Sequence, residues 1–171
     1  GILRDRISRL YDCDLIVLSK VKDIHSESVK EKFNYLKRFK KNIIISKLTY
    51  NSISNGNSSI EFEKISGMKI SLFCGVGNPK DFFDIFSKYT IAGLKAFPDH
   101  CKYENNFFEL KKIKKEADIL ITTYKDFVKL GETTINELNI YYLDIDLKFY
   151  DQGLKEISLS DLIGERVFEK K

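Results

Sequence analysis

From Met68 onward, short apolar runs alternate with stretches in which apolar residues recur every three to four positions. The runs predict strands at about 68–74, 91–96, 118–122 and 139–145. The helical spacings predict helices at 79–89, 106–116 and 124–130, with a closing helix near 151–163. Strands that take turns with helices imply a parallel sheet with right-handed crossovers, whose functional loops gather at the carboxyl ends of the strands.

The first sixty residues read differently. Leu3, Ile7 and Leu10 share one helical face, so a helix over 3–11 is expected, followed by a short buried strand at 14–18. Ser26 is placed to cap a helix over 27–39, where Val29, Phe33, Leu36 and Phe39 are apolar and lysines fill the gaps. Two β-prone stretches, 43–50 and 59–62, flank a polar segment containing Asn55-Gly56, a favoured two-residue hairpin turn. Residues 42–63 are therefore expected to form a two-stranded β linker between a segment at 1–41 and an α/β lobe at 64–171.

Composition narrows the class. The chain has 171 residues, 43% hydrophobic and 32% charged, enough for one core and a small second lobe rather than a disordered tail. No run approaches the roughly 18 apolar residues needed to span a bilayer, and the amino terminus lacks the layout of a secretory signal. Cys13, Cys74 and Cys101 are odd in number and far apart, which argues against a disulfide framework or a zinc site and suits a reducing cytoplasm. The net charge of +4 concentrates at Lys30–Lys41 and Lys111–Lys115. Within amphipathic helices these are solvated faces by default. No aromatic-basic platform points to nucleic acid.

Three segments at the ends of apolar runs carry the candidate chemistry. In Gly75-Val76-Gly77-Asn78-Pro79 a strand turns into a helix with proline in its first turn. The loop suits a tight structural turn, with phosphate contact by Gly75, Gly77 and Asn78 as the lesser option. In Phe97-Pro98-Asp99-His100 an acid precedes one of only two histidines, and an imidazole is the natural acid-base group near neutral pH. In Thr122-Thr123-Tyr124-Lys125-Asp126 either threonine can cap a helix that carries Asp126 in its first turn. Lys125 and Asp126 serve either cleft architecture or ligand contact. His25 matches no motif and reads as a surface or capping histidine.

Taken in order, G-x-G-N-P-x-x-F-F, F-P-D-H-x-x-Y and T-T-x-K-D-x-V-K-L resemble the C-terminal half of the tetraacyldisaccharide 4′-kinase (lipid A 4′-kinase) family, and Gly1-Ile2-Leu3-Arg4-Asp5 is similar to its G-x-L-R-E segment. The likeness runs from residue 1 to about 147. It implies a Rossmann-like α/β/α C-terminal lobe, a two-stranded linker and, at 1–41, a remnant of an N-terminal P-loop kinase lobe. It also implies transfer of phosphate from ATP, with Mg²⁺, to the 4′-hydroxyl of a lipid A disaccharide precursor at the cytoplasmic face of the bacterial inner membrane. There the basic helices would meet an anionic surface.

In the family an Asp-His dyad handles the hydroxyl proton; its Asp would lie upstream of these residues, and His100, preceded here by Asp99, is the half present. Arg4 and Asp5 match a pair that faces the acceptor sugar, although Asp5 is one methylene shorter than the usual Glu and Arg6 replaces a common proline. Tyr124 stands where Glu is frequent, and Cys101 where many relatives carry a second histidine. Neither the phosphate-cradling G-x-x-x-x-G-K-[ST] nor a D-D-G-F-Q-H-type segment for Mg²⁺ occurs in the 171 residues. The expectation is thus a C-terminal kinase portion, inactive alone, that meets its N-terminal lobe elsewhere. The rival is a non-catalytic α/β domain that binds a nucleotide or small anion at the Gly75 loop.

Overall fold

The structure, a computed structural model, describes residues 5–158 and Ser160. It is a mixed α/β fold with a mostly parallel sheet, divided into two compact units, residues 1–49 with 146–171 and residues 50–145.

In the first unit, β1 (Leu15–Leu18) pairs in parallel with the start of β2 (Asn42–Ser54), Ile16 opposite Ile43 and Leu18 opposite Ile45. Helix α1 (Glu27–Lys37) joins them. Val29 and Phe33, one turn apart, bury the same helical stripe against Ile16, Phe39, Ile43 and Ile45. Ser26 occupies the cap position, but its hydroxyl donates to the Asp23 carbonyl instead of capping α1. Of the expected helix over 3–11, residues 3 and 4 lie outside the described residues, and Ile7–Tyr11 form a five-residue 3₁₀ turn with no buried residue. A segment this short that buries no side chain is not held as an α-helix.

In the second unit, the end of β2 forms a hairpin with β3 (Ser59–Glu61), Ile53 opposite Ile60, and Gly56 takes the positive φ of 90° that the turn requires. The four parallel strands that follow are ordered β7-β6-β4-β5: β4 (Lys69–Cys74), β5 (Thr90–Ala96), β6 (Ile119–Thr122) and β7 (Ile140–Tyr150). Alternate residues on the inner strands face opposite cores. Ile70, Leu72, Cys74, Ile119 and Ile121 pack with Phe82 and Phe86, of α2 (Pro79–Ile85) and the turn after it. Phe73, Leu120 and Ile140 pack on the other face with Leu110 of α3 (Phe107–Lys114) and Leu138 of α5 (Glu132–Leu138). A sheet buried on both faces is the reason these strands read as nearly continuous apolar runs.

Helix α5 was not expected from the pattern, because Thr133, Thr134 and Asn136 are weak helix formers. Strand β7 runs on to Tyr150, and in place of a helix from 151 the chain turns at Asp151, whose carboxylate accepts the Gly153 and Lys155 amides. Strand β8 (Glu156–Ile157) then pairs antiparallel with β7. Residue 159 and residues 161–163 of the expected closing helix lie outside the described residues.

Candidate active site

The three motif loops all belong to the second unit and leave neighbouring strands at their carboxyl ends: Gly75 follows β4, Asp99 and His100 follow β5, and Thr123 to Asp126 follow β6. Their meeting point is Asp126, which is 0% exposed. Its Oδ2 accepts the Gly75 amide at 2.8 Å and the Thr123 hydroxyl at 2.8 Å, while Oδ1 pairs with the Lys129 ammonium at 3.1 Å. Burial by itself would raise this carboxyl's pKa. The Gly75, Thr123 and Lys129 donors outweigh burial and hold the pKa below the ordinary value. Thr123 returns the bond by capping α4 (Tyr124–Phe127), accepting the Asp126 amide.

Lys125, one residue earlier, reaches across to the β5 loop and pairs with Asp99 Oδ1, and its ammonium also lies 3.4 Å from the Gly75 carbonyl oxygen. The Lys125 contact, more than any other, lowers the Asp99 pKa, and the same pair keeps Lys125 charged. His100 sits in the left-handed region at φ 62°, a conformation His tolerates better than most residues, with its side chain 84% exposed. Its Nε2 stands 3.7 Å from Asp99 Oδ2, an ion-pair separation rather than a hydrogen bond.

Gly75 leaves no room for a side chain. A Cβ there would stand 3.0 Å from the Pro98 carbonyl oxygen, 3.1 Å from the Tyr103 hydroxyl and 3.3 Å from Asp126 Oδ1. Tyr103 is buried against Phe73 and Phe97, and among the described residues its hydroxyl has no partner of hydrogen-bonding geometry. Burial first, then the Asp126 charge, push its pKa upward. The same two causes raise the Cys74 thiol to about 11.

The structure thus brings together Gly75, Asp99, His100, Thr123, Lys125 and Asp126. Gly77 has open space around the position a Cβ would take, and Asn78 bonds locally to Asp81 at 2.8 Å, so neither joins this cluster. Asp5 belongs to the first unit, where it accepts the Arg6 amide and pairs with Arg9 at 3.4 Å, and Arg4 lies outside the described residues. Tyr103 and Lys129 were assigned no role from the sequence, although both are fixed letters of the motifs, Tyr103 three residues after His100 and Lys129 three after Asp126. That shared placement is the signal that would have found them. A groove of about 440 Å³ lined by Tyr50, Phe62, Ile85 and Tyr89 shares no residue with the motif loops.

A parallel α/β sheet covered on both faces, with an Asp-His pair on a loop at the carboxyl end of a strand, defines a Rossmann-like α/β protein. The chain belongs to the LpxK family, tetraacyldisaccharide-1-P 4′-kinase, whose family model matches residues 1–163. It is 28% identical over 184 residues to tetraacyldisaccharide 4′-kinase of Halothermothrix orenii, covering 95% of this chain and 46% of that protein. Against the enzyme of the same name from Rickettsia rickettsii it is 38% identical over 102 residues, 57% of this chain and 28% of that one. The crystal structure of the "apo" form of LpxK from Aquifex aeolicus in complex with ATP superposes with a TM-score of 0.62 at 16% identity, covering 98% of this chain and 45% of that one. That likeness shows the fold. The chain spans less than half the length of each of these relatives.

Proposed function

We propose that this chain supplies the C-terminal part of an ATP-dependent kinase that phosphorylates the 4′-hydroxyl of a tetraacyldisaccharide 1-phosphate in lipid A biosynthesis. The convergence of three family motifs around Asp126, with His100 exposed beside them, carries this reading. Residues 1–41 then belong to the kinase lobe, 42–63 to the two-stranded linker and 64–171 to the C-terminal lobe.

Phosphoryl transfer needs positioning and a group that receives the acceptor hydroxyl proton. His100 takes that proton. Its Nε2 faces Asp99, which leaves Nδ1 to meet the hydroxyl, and the carboxylate stabilises the imidazolium that forms. Lys125 anchors Asp99 from the opposite side. Arg4 and Asp5 contact the sugar in this reading.

The described residues do not themselves fit ATP or Mg²⁺. The Gly75 amide is occupied by Asp126, and Asp126 has spent both oxygens on its own chain. Among the described residues no three His, Cys, Asp or Glu side chains gather in a way that could hold a metal ion. In this reading nucleotide and metal fall to the N-terminal half of the kinase, and the 171 residues alone are expected to turn over no lipid A precursor. The occupied Gly75 amide also speaks against the alternative of an anion-binding domain centred on that loop.

Among the described residues no helix is long and apolar enough to cross a membrane. Contact with an anionic membrane surface is peripheral in this reading and uses the lysines of α3. Of these, Lys111 pairs with Glu137 and Lys114 donates to the Ala117 and Asp118 carbonyls.

The deciding experiment is His100→Ala in the intact kinase. Loss of a positioned base lowers kcat by about 10²–10⁴-fold with little change in KM. The exposed imidazole has one long contact and adds little to stability, so the melting temperature falls only by what Ala costs at the left-handed φ of 62°, and His25→Ala serves as the silent control. Full kcat in folded His100→Ala protein would end the base assignment.

A further inference from the structure

Helix α4 has only four residues, Tyr124–Phe127, and a single turn cannot hold its own direction. Whatever anchors that turn decides where Lys125 points. Two of its residues, Tyr124 and Lys125, are exposed, and the other two, Asp126 and Phe127, are buried. Phe127 supplies apolar packing, which is non-directional, whereas the Asp126 carboxylate makes three directed bonds.

Asp126 and Lys125, adjacent in sequence, grip the same residue from two sides: Asp126 takes the Gly75 amide at 2.8 Å, and the Lys125 ammonium approaches the Gly75 carbonyl oxygen at 3.4 Å. Strand β4, which Gly75 follows, lies between β6 and β5. Lys125 must therefore cross the end of β4 to reach Asp99 on the β5 loop, and it can do so only from an α4 turn fixed relative to Gly75.

We infer that Asp126 is a positioning residue: through the Gly75 amide and the Thr123 hydroxyl it sets the first turn of α4, so that Lys125 meets Asp99 and fixes that carboxylate beside His100. Its meaning for catalysis rests on the kinase reading above. The positioning itself does not.

The test follows the carboxyl ¹³C signal of Asp99 by NMR through an acid titration of the folded chain. In the wild type the Asp99 midpoint lies below that of an ordinary aspartate because of Lys125. Lys125→Met raises it. Asp126→Asn raises it too, since the misdirected α4 turn withdraws the ammonium. Simple electrostatics predicts the opposite, because deleting a nearby negative charge lowers a carboxyl pKa or leaves it alone. The sign thus separates positioning from a through-space effect, and a role confined to stability moves the melting temperature but not the midpoint.

Thr123→Val removes one of the two bonds to Oδ2 while keeping the Asp126 charge, and is expected to raise the Asp99 midpoint in the same direction. It carries the test if Asp126→Asn does not fold. Thr123→Ser, which keeps the hydroxyl, restores the wild-type value. An unchanged or lowered Asp99 midpoint in folded Asp126→Asn, an unchanged one in Thr123→Val, or no rise in Lys125→Met overturns the proposal. The readout needs no turnover, so a kinase assay that refuted His100 as the base would leave this result standing.

Discussion

Replacing each glycine of the Gly75-Val76-Gly77 loop by alanine separates two positions that look alike in sequence. At Gly75 the new methyl meets three oxygens at 3.0, 3.1 and 3.3 Å, and none of them can retreat freely. The Pro98 carbonyl accepts the Cys101 amide, Tyr103 is wedged between Phe73 and Phe97, and Asp126 is held by three donors. Overpacking of this kind costs about 1–3 kcal/mol, offset by about 0.4–1 kcal/mol from the stiffer unfolded chain, since Gly75 does not use positive φ. The net loss is about 0–2.6 kcal/mol, or a melting temperature lower by up to about 10 °C in a chain of this size.

At Gly77 no atom lies within 4 Å of the added methyl and φ is again compatible, so only the entropic gain remains. Gly77→Ala is expected to match or slightly exceed the wild type. Thermal denaturation followed by circular dichroism on the three proteins decides the matter. If the two variants melt within about 0.5 kcal/mol of each other, the packing argument around Gly75 is wrong.

Lys129→Met leaves the buried Asp126 carboxylate without a cation and is expected to cost about 3 kcal/mol in urea titrations, the low end for uncovering a buried charge, because two hydrogen bonds remain. Lys148→Met, at an exposed pair with Glu156, should be indistinguishable from wild type in the same assay. Asp126 has a lowered pKa in the folded state, so its stabilisation is complete above the unfolded carboxyl value of about 4 and is lost as pH falls through the folded value. Unfolding midpoints measured from pH 7 to 3 should therefore decline at the acid end, and Asp126→Asn should flatten that decline. The buried Thr122 hydroxyl has no partner among the described residues, so Thr122→Val, which keeps the shape, should be neutral or stabilising by up to about 1–3 kcal/mol. A loss of more than about 1 kcal/mol would reveal a bond the structure does not show.

Much of the second unit was legible from pattern alone. Strands β4, β5 and β6 and helices α2, α3 and α4 fall where the alternation of runs and helical spacings put them, because a strand buried on both faces and a one-sided helix leave different periods in a sequence. The hairpin was equally plain, since Asn55-Gly56 supplies the glycine that its turn needs at positive φ. What failed locally failed for local reasons. Helix α5 is built on weak formers and is held by Leu138 in the core. The continuation of β7 past the expected 139–145, as Asp146-Leu147-Lys148-Phe149, alternates charged and apolar residues and was not expected from the pattern.

The candidate site divides along another line. Residue types, the order of the three motifs and the placement of each where a strand gives way to a loop are all readable along the chain, because chain-local periodicity and turn chemistry settle those matters. That Asp126 is the shared partner, that Lys125 crosses from β6 to Asp99, that His100 stands in solvent, and that Gly75 is crowded while Gly77 is open emerge from the packed fold alone. Those facts depend on the order β6-β4-β5, which sets side by side loops about twenty to fifty residues apart in the chain. Periodicity reports which side of an element is buried, and only the arrangement of elements reports what it is buried against.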